Sequence, residues 1–319
     1  MVVFGLRTSI LRFKGEGVNS MHWESYSSLH LPYKENAPVK RRYSITSDVL
    51  AYQLCPQQYA MFRVRKYEAS MTNQVFYGTV IHQVLDRAHM HYKGVLDPNK
   101  AGTLPSDSDI EQYFDEVNQA LKARRISAGA GVKQQALEII KRFNRIEGPT
   151  LYPRVKNTEC RLQTDKGNYI LNGNVDVLAT SIDDPESIEI WDYKGTNRPA
   201  LGDPRLQQYI YQMQVYAELY RKQTGIMPSK AIIYFLNTLG GPVEPQRTPG
   251  NAVFEVTLDP ASVDIAMDDF SRTVAKIESS RMSGNWECPQ NQPPQETCNI
   301  CDKRWNCTDS GRDYPIRHP

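Results

Sequence analysis

The sequence holds no run of about 18 apolar residues, so no membrane-spanning helix is expected. It also lacks a surplus of either charge: 38 Lys and Arg stand against 36 Asp and Glu, a net +2. A nucleic-acid-binding face must therefore come from local basic patches. No internal repeat is visible, which excludes solenoids and propellers. Acidic residues are missing until Glu16 in the opening stretch MVVFGLRTSILRFKG. Its apolar run is short, is broken by Arg7 and is followed by no small-residue cleavage site, so a secretory signal is not expected. A mitochondrial presequence shares the basic, acid-poor character, and Met21 is an alternative start; the expected location is the cytoplasm. Cysteine is sparse, six residues in 319, and Cys288, Cys298, Cys301 and Cys307 crowd one end. Without a secretion signal, such a cluster reads as metal ligands rather than disulfides.

What is present suffices for a substantial core: 40% of residues are hydrophobic. Residues 1–44 show no sustained period and read as an irregular accessory piece. A helical region follows over 45–150. Its first helix opens at TSDVLAYQLCPQQYAMFRVRKY, capped by Thr46 or Ser47, and its second covers about 73–94. Two more helices fall near 108–126 and 132–147. The texture then changes to strands over 155–165, 168–180 and 187–194, with the turn IDDPES before the last. A helix from DPRLQQ, the strand AIIYFLNTL, the strand AVFEVTL and a capped helix from DPASV complete a core over 151–285. A Cys-rich tail spans 286–319. This order predicts a mixed α/β core preceded by a helical insertion.

The stretch IEIWDYKG sets Asp192 and Lys194 two apart on a strand, on one face with Ile188 and Ile190. Burying either charge alone is expensive, so the two need each other, a metal or a ligand. A hairpin centred near 183 and 184 places Asp176, in LNGNVDVLAT, opposite Trp191 and beside Asp192. Paired carboxylates suit a hard cation, Mg2+ or Mn2+, with the lysine placed to hold a water or stabilise developing charge. In the second helix, Gly78 and His82 share a face, and the glycine permits close approach of another backbone. His89 and His91 read as solvated. Gln212 and Tyr216 are neighbours on the helix after the lysine strand. Singly, these are also what a core ion pair, an interior histidine and a core tyrosine look like.

Read in order, G-x-x-x-H (78–82), G-x-x-D (173–176), D-Y-K (192–194) and Q-x-x-x-Y (212–216) resemble the RecB-like branch of the PD-(D/E)XK nucleases. LAYQLCPQQYAMF and CNICDKRWNC extend the resemblance to its iron–sulfur members, which include CRISPR-associated RecB-like exonucleases and the AddB nuclease domain. The resemblance implies a restriction-endonuclease-like mixed sheet flanked by helices. It implies a divalent metal held by His82, Asp176, Asp192 and the backbone carbonyl of Tyr193, with Lys194 catalytic. Gln212 and Tyr216 would organise the site. It also implies a 4Fe-4S cluster on Cys55, Cys298, Cys301 and Cys307. Zn2+ suits four thiolates equally, and Cys288 rivals Cys55 as the fourth ligand. Cys160 reads as core. A clip from Cys55 to the tail would stabilise the fold by roughly 5 kcal/mol on a chain-entropy estimate.

The activity implied is a metal-dependent deoxyribonuclease acting on single-stranded DNA or ends. It would work alone or with a helicase, an integrase or another subunit of a defence complex; the rival is a non-catalytic DNA- or partner-binding module. Phosphate contacts are expected from Lys40, Arg41 and Arg42, from Arg63, Arg65 and Lys66, and from Lys133, Lys141, Arg142 and Arg145. Tyr43, Tyr59, Phe62 and Tyr67 interleave with them as candidate stacking rings.

Overall fold

A computed structural model describes residues 40–70, 72–239, 250–287, 293, 295–299, 301–304 and 307. The chain divides into two units, Met1–Val39 and Lys40–Pro319, and all of the described residues belong to the second. Most of the accessory piece expected over 1–44, and Cys288, lie outside the described residues.

The described chain opens with a two-residue strand, β1 (Arg42–Tyr43), which the sequence did not signal. A π-helical turn at Ile45–Leu50 leads into α1 (Ala51–Leu54), then α2 (Pro56–Tyr59) and a second π turn at Ala60–Val64. The single helix expected here is thus broken at Cys55, which is extended at φ −161° and ψ 106°. The cause is Pro56: its ring disfavours helical backbone in the residue before it. The cap is also displaced, to Ser44, whose side chain accepts from the Ser47 N–H.

Next come α3 (Asn73–Tyr92), α4 (Asp107–Ala123), α5 (Ala130–Ile146) and the short α6 (Gly148–Leu151). In α3 the stripe Phe76, Val80, Ile81, Val84, Leu85 and Ala88 recurs at helical spacing and is buried. α4 starts on a capping box, Ser106 with Asp109. These helices cover His89 and His91, which are about 1% exposed rather than solvated. His91 bonds to the Tyr113 hydroxyl at 2.7 Å, and His89 to that of Tyr193 at 3.1 Å. Burial drives His89 down to about 3, so it is neutral.

The strands follow as β2 (Val155–Asp165), β3 (Ile170–Thr180) and β4 (Ile188–Lys194); then α7 (Pro204–Thr224), β5 (Lys230–Phe235), β6 (Val253–Val256), α8 (Pro260–Ser283) and α9 (Gln295–Asn299). The strand expected over AIIYFLNTL stops at Phe235, and Leu236–Leu239 form a 3-10 turn. The sheet runs β1-β3-β4-β5-β6, with β2 also on β3. β1–β3 and β4–β5 are parallel; β2–β3, β3–β4 and β5–β6 are antiparallel. Alternation along β4 assigns its two faces. Trp191 and Tyr193 join the core with α3, α4 and α5. Ile190 joins the core with α7 and α8. The result is a mixed sheet flanked by helices, the restriction-endonuclease-like arrangement expected.

Candidate active site

The β3–β4 hairpin brings the two aspartates together. Its turn closes between Ser181 and Ser187, where the Ser181 N–H donates to the Ser187 carbonyl at 2.9 Å. That centres the turn on Asp184 and shifts the register by one residue from expectation. Val177, not Asp176, stands opposite Trp191, so Asp176 is directly across from Asp192. Beyond that pair a side chain takes over from the backbone ladder. The Asp176 carboxylate accepts the Tyr193 N–H at 2.7 Å.

On the α7 face, Asp192 is 2% exposed and Lys194 projects beside it, 2.7 Å from nitrogen to oxygen. Gln212 Nε2 donates to Asp192 at 2.8 Å and to the Tyr216 hydroxyl at 3.0 Å, while Gln212 Oε1 accepts from Lys194 at 2.8 Å. One amide thus fixes the positions of three other side chains. Lys194 also lies over the Tyr209 ring, 4.8 Å from its centroid. α7 reaches this position because Gly173 has no side chain. A Cβ there would lie 2.8 Å from Tyr216 and 2.9 Å from Leu219. The glycine of G-x-x-D is therefore the close-approach point.

The glycine of G-x-x-x-H is not. A Cβ on Gly78 would meet nothing within 4 Å. Gly78 instead faces open space, shared by a cavity of about 670 Å³ at His82, Asp86, Glu159 and Asp176 and one of about 870 Å³ at Gly195, Asn197, Arg205 and Tyr209. α3 delivers His82 to the first cavity, with Nδ1 3.3 Å from Asp176.

The charges at this site are strongly interdependent. Burial works against the imidazolium of His82, but the Asp176 carboxylate outweighs it and holds the group at about 9. Burial would raise Asp176 too, yet His82 and the Tyr193 N–H keep it below the usual range. Burial pushes Asp192 up against the pull of Lys194, and Asp176 adds to the push. Burial also opposes the charge on Lys194, and Asp192 more than offsets it, so the ammonium is retained. Two carboxylates of opposite tendency side by side are what a divalent cation would relieve.

Sequence reasoning missed Glu159. It stands on β2 across from Asp176, between the pairs Thr158–Val177 and Cys160–Val175. Burial at the rim and the Asp176 charge push it up to about 7. Ligand atoms of His82, Glu159 and Asp176 all lie within 4.8 Å of one another. Only the β2 register reveals Glu159, and no motif marks it.

A model of the PD-(D/E)XK nuclease superfamily matches residues 46–308, which include every residue of this site. The chain belongs to the PD-(D/E)XK nuclease superfamily. A solved Eubacterium rectale protein assigned as a candidate exonuclease shares the fold, with 15% identity, 96% of each chain covered and a TM-score of 0.51. A second solved structure, of SSO0001, aligns with 17% identity over 89% of this chain and 91% of its own, at a TM-score of 0.32. No curated protein matches the sequence. Nucleases of the superfamily use divalent metals, and the donor set here, imidazole plus clustered carboxylates, fits such an ion.

For a superfamily nuclease, the outlying residues matter as routes for nucleic acid, and several of the expected cations and rings are buried or held in ion pairs. Lys141 and Arg142 are buried. Lys141 pairs with Glu111 at 2.6 Å, and Arg145 pairs with Asp107. Lys141 and Arg145 are thus engaged by acidic residues of α4. Lys133 lies over Phe76, and Lys40 and Arg41 are paired with Asp165 and Glu278. Tyr43 and Tyr59 are core residues, about 1% and 2% exposed, and cannot stack on bases. Arg42, Arg63, Arg65, Lys66 and Tyr67 are exposed, and Phe62 is half-buried. Arg65 and Tyr67 line a third cavity, of about 440 Å³, with Lys303.

Cys55 is buried and caps α2, its sulfur accepting from the Gln58 N–H. Cys160 packs half-buried against the core. Cys298, Cys301 and Cys307 are half-buried. The Cys307 thiol donates to Gln57 Oε1 at 3.8 Å, and Lys303 reaches the same oxygen. Asp302 accepts from the Ser70 N–H at 2.8 Å and its hydroxyl at 2.6 Å. The tail thus meets the α1–α2 region within two residues of Cys55.

Proposed function

We propose that the chain is a Mg2+- or Mn2+-dependent deoxyribonuclease of the RecB-like branch that trims single-stranded DNA or DNA ends in the cytoplasm. The observation that carries the reading is the convergence of His82, Asp176, Asp192 and Lys194 at one point beside a wide cavity. His82, Asp176, Asp192 and the Tyr193 carbonyl are the candidate holders of the ion, which when bound neutralises phosphate charge and acidifies a water. Lys194 keeps its proton and orients the attacking water or stabilises charge on the phosphorane-like transition state. Gln212 holds Lys194 and Asp192 in register, and Tyr216 fixes Gln212, so neither side chain reorganises during reaction.

Cys55, Cys298, Cys301 and Cys307 are assigned to a 4Fe-4S cluster, with Zn2+ as the other occupant four thiolates would take. The Gln57 contacts of Lys303 and Cys307 support a tail docked beside Cys55. A helicase, integrase or other defence-complex subunit is the expected partner class. No helix among the described residues is long and apolar enough to cross a membrane.

The test is digestion of end-labelled single-stranded and duplex DNA by anaerobically purified protein with Mn2+. Wild type is expected to cut and Lys194→Ala to be inert at a temperature where circular dichroism shows both proteins folded, since loss of the ammonium beside buried Asp192 also lowers stability. Equal inactivity of both, with or without a partner helicase or integrase, would overturn the reading.

A further inference from the structure

We infer that Glu159 is a ligand of the divalent cation, forming with His82 and Asp176 a three-residue site on the open side of the carboxylate cluster; the inference rests on the proposed nuclease activity. The family resemblance assigns no role to this residue. The geometry does. One ligand atom from each of the three side chains lies within 4.8 Å of the others. Oxygens on opposite sides of a Mg2+ ion stand roughly 4.2 Å apart, twice the bond length. The three groups need only small side-chain adjustments to share an ion.

Asp192 is partly engaged: Gln212 donates to one oxygen at 2.8 Å, while the other lies 2.7 Å from the Lys194 ammonium and makes no hydrogen bond among the described residues. Glu159 is exposed on the cavity wall, where Asn174 donates to one of its carboxylate oxygens at 2.5 Å. Glu159 thus adds a donor on the β2 side of Asp176, across from Asp192.

Two further observations point the same way. Glu159 sits at φ +46° in the middle of a strand. A left-handed residue with a side chain is strained, and such strain concentrates at functional sites. Asp86 follows His82 by one helical turn and lines the same cavity, and its Oδ1 is buried with no hydrogen-bond partner among the described residues. A buried carboxylate oxygen without a donor is costly. With a small rotation of Asp86, a water of a bound ion's hydration shell would supply that donor. Mg2+ and Mn2+ keep several such waters when few protein ligands are offered.

The alternative is that Glu159 only locks the strand through Asn174. Titration of the full chain with Mn2+ alone, by calorimetry and by loss of the free-ion electron paramagnetic resonance signal, separates the two. Glu159→Gln keeps the size and the Asn174 contact but loses the charge; it is expected to weaken Mn2+ binding at least tenfold with an unchanged urea midpoint. Glu159→Asp, which keeps the charge on a shorter arm, is expected to fall between. Mn2+ affinity of Glu159→Gln within twofold of wild type would overturn the assignment. If that happens while Lys194→Ala still abolishes cutting, Glu159 alone is misassigned; a wild type that neither binds Mn2+ nor cuts removes both readings.

Discussion

Gly173→Ala should damage the site by pushing on α7, and the local distances set the size of the effect. The added methyl carbon would stand 2.8 Å from Tyr216 Cε1, 2.9 Å from Leu219 Cδ1 and 3.1 Å from Tyr216 Cδ1. Ordinary carbon contacts begin near 3.5 Å, so at least about half an ångström must be opened. Tyr216 cannot swing aside cheaply, because it is 5% exposed and its hydroxyl is held by Gln212. Leu219 is fully buried. Overpacking of this kind costs about 1–3 kcal/mol, while replacing a strand glycine by alanine returns roughly 0.5–1. The net expectation is a loss of about 1–2 kcal/mol, or roughly 1.5–3 °C in melting temperature for a chain of this size. Because Tyr216 and Gln212 ride on α7, cutting rate should fall by more than the stability loss explains. Thermal unfolding and initial rates on one DNA substrate, at a temperature where both proteins are folded, test this. A variant that melts with wild type and cuts at the wild-type rate would refute the close-packing role of Gly173.

Two further outcomes rest on separate features. Gly78→Ala should raise stability by up to about 1 kcal/mol, since a helix-interior glycine is replaced and the new methyl meets nothing, yet it should weaken DNA binding because that methyl enters the space shared by two cavities; a fluorescence-anisotropy titration with unchanged affinity would contradict it. Asp109→Asn should cost about 1 kcal/mol at pH 7 by weakening the α4 capping box. Desolvation would raise Asp109, but Lys100 and Ser106 hold it at about 2, below its ordinary 3.8. Its contribution is therefore complete above about pH 3.8 and is lost as pH falls through about 2. Urea midpoints of the two proteins should converge across that window, and a gap that persists at pH 2 would sink the argument.

Much of the fold is readable from sequence where period and chemistry agree. β2 has the expected bounds even though a bulge between Val155 and Asn157 and the left-handed Glu159 interrupt its alternation, and α3 is readable because its apolar stripe keeps helical spacing from Phe76 to Ala88. The break at Cys55 interrupts the single helix expected there, although Pro56 carries the signal for it. β1 is not readable: two residues carry no period, and Arg42–Tyr43 pair with Ile170–Leu171 from far along the chain. The site is legible where motifs fix it by local spacing, as with Gln212–Tyr216 and Asp192–Lys194. It is not legible where tertiary packing decides. A basic run on α5 reads as a surface for phosphate until α4 lays Asp107 and Glu111 against it. His89 and His91 look polar until the insertion covers them. Glu159 becomes visible only when β2 is aligned on β3, because its importance lies in standing opposite Asp176.

The central claim is that one divalent ion binds where α3, β3 and β4 converge. The most direct measurement is an anomalous-scattering map from crystals of the protein grown in saturating Mn2+. A single strong peak within bonding distance of Asp176, with the His82 imidazole turned onto it, is expected. A map with no peak there, or with Mn2+ bound only at the cysteines or on the outer surface, would contradict the account.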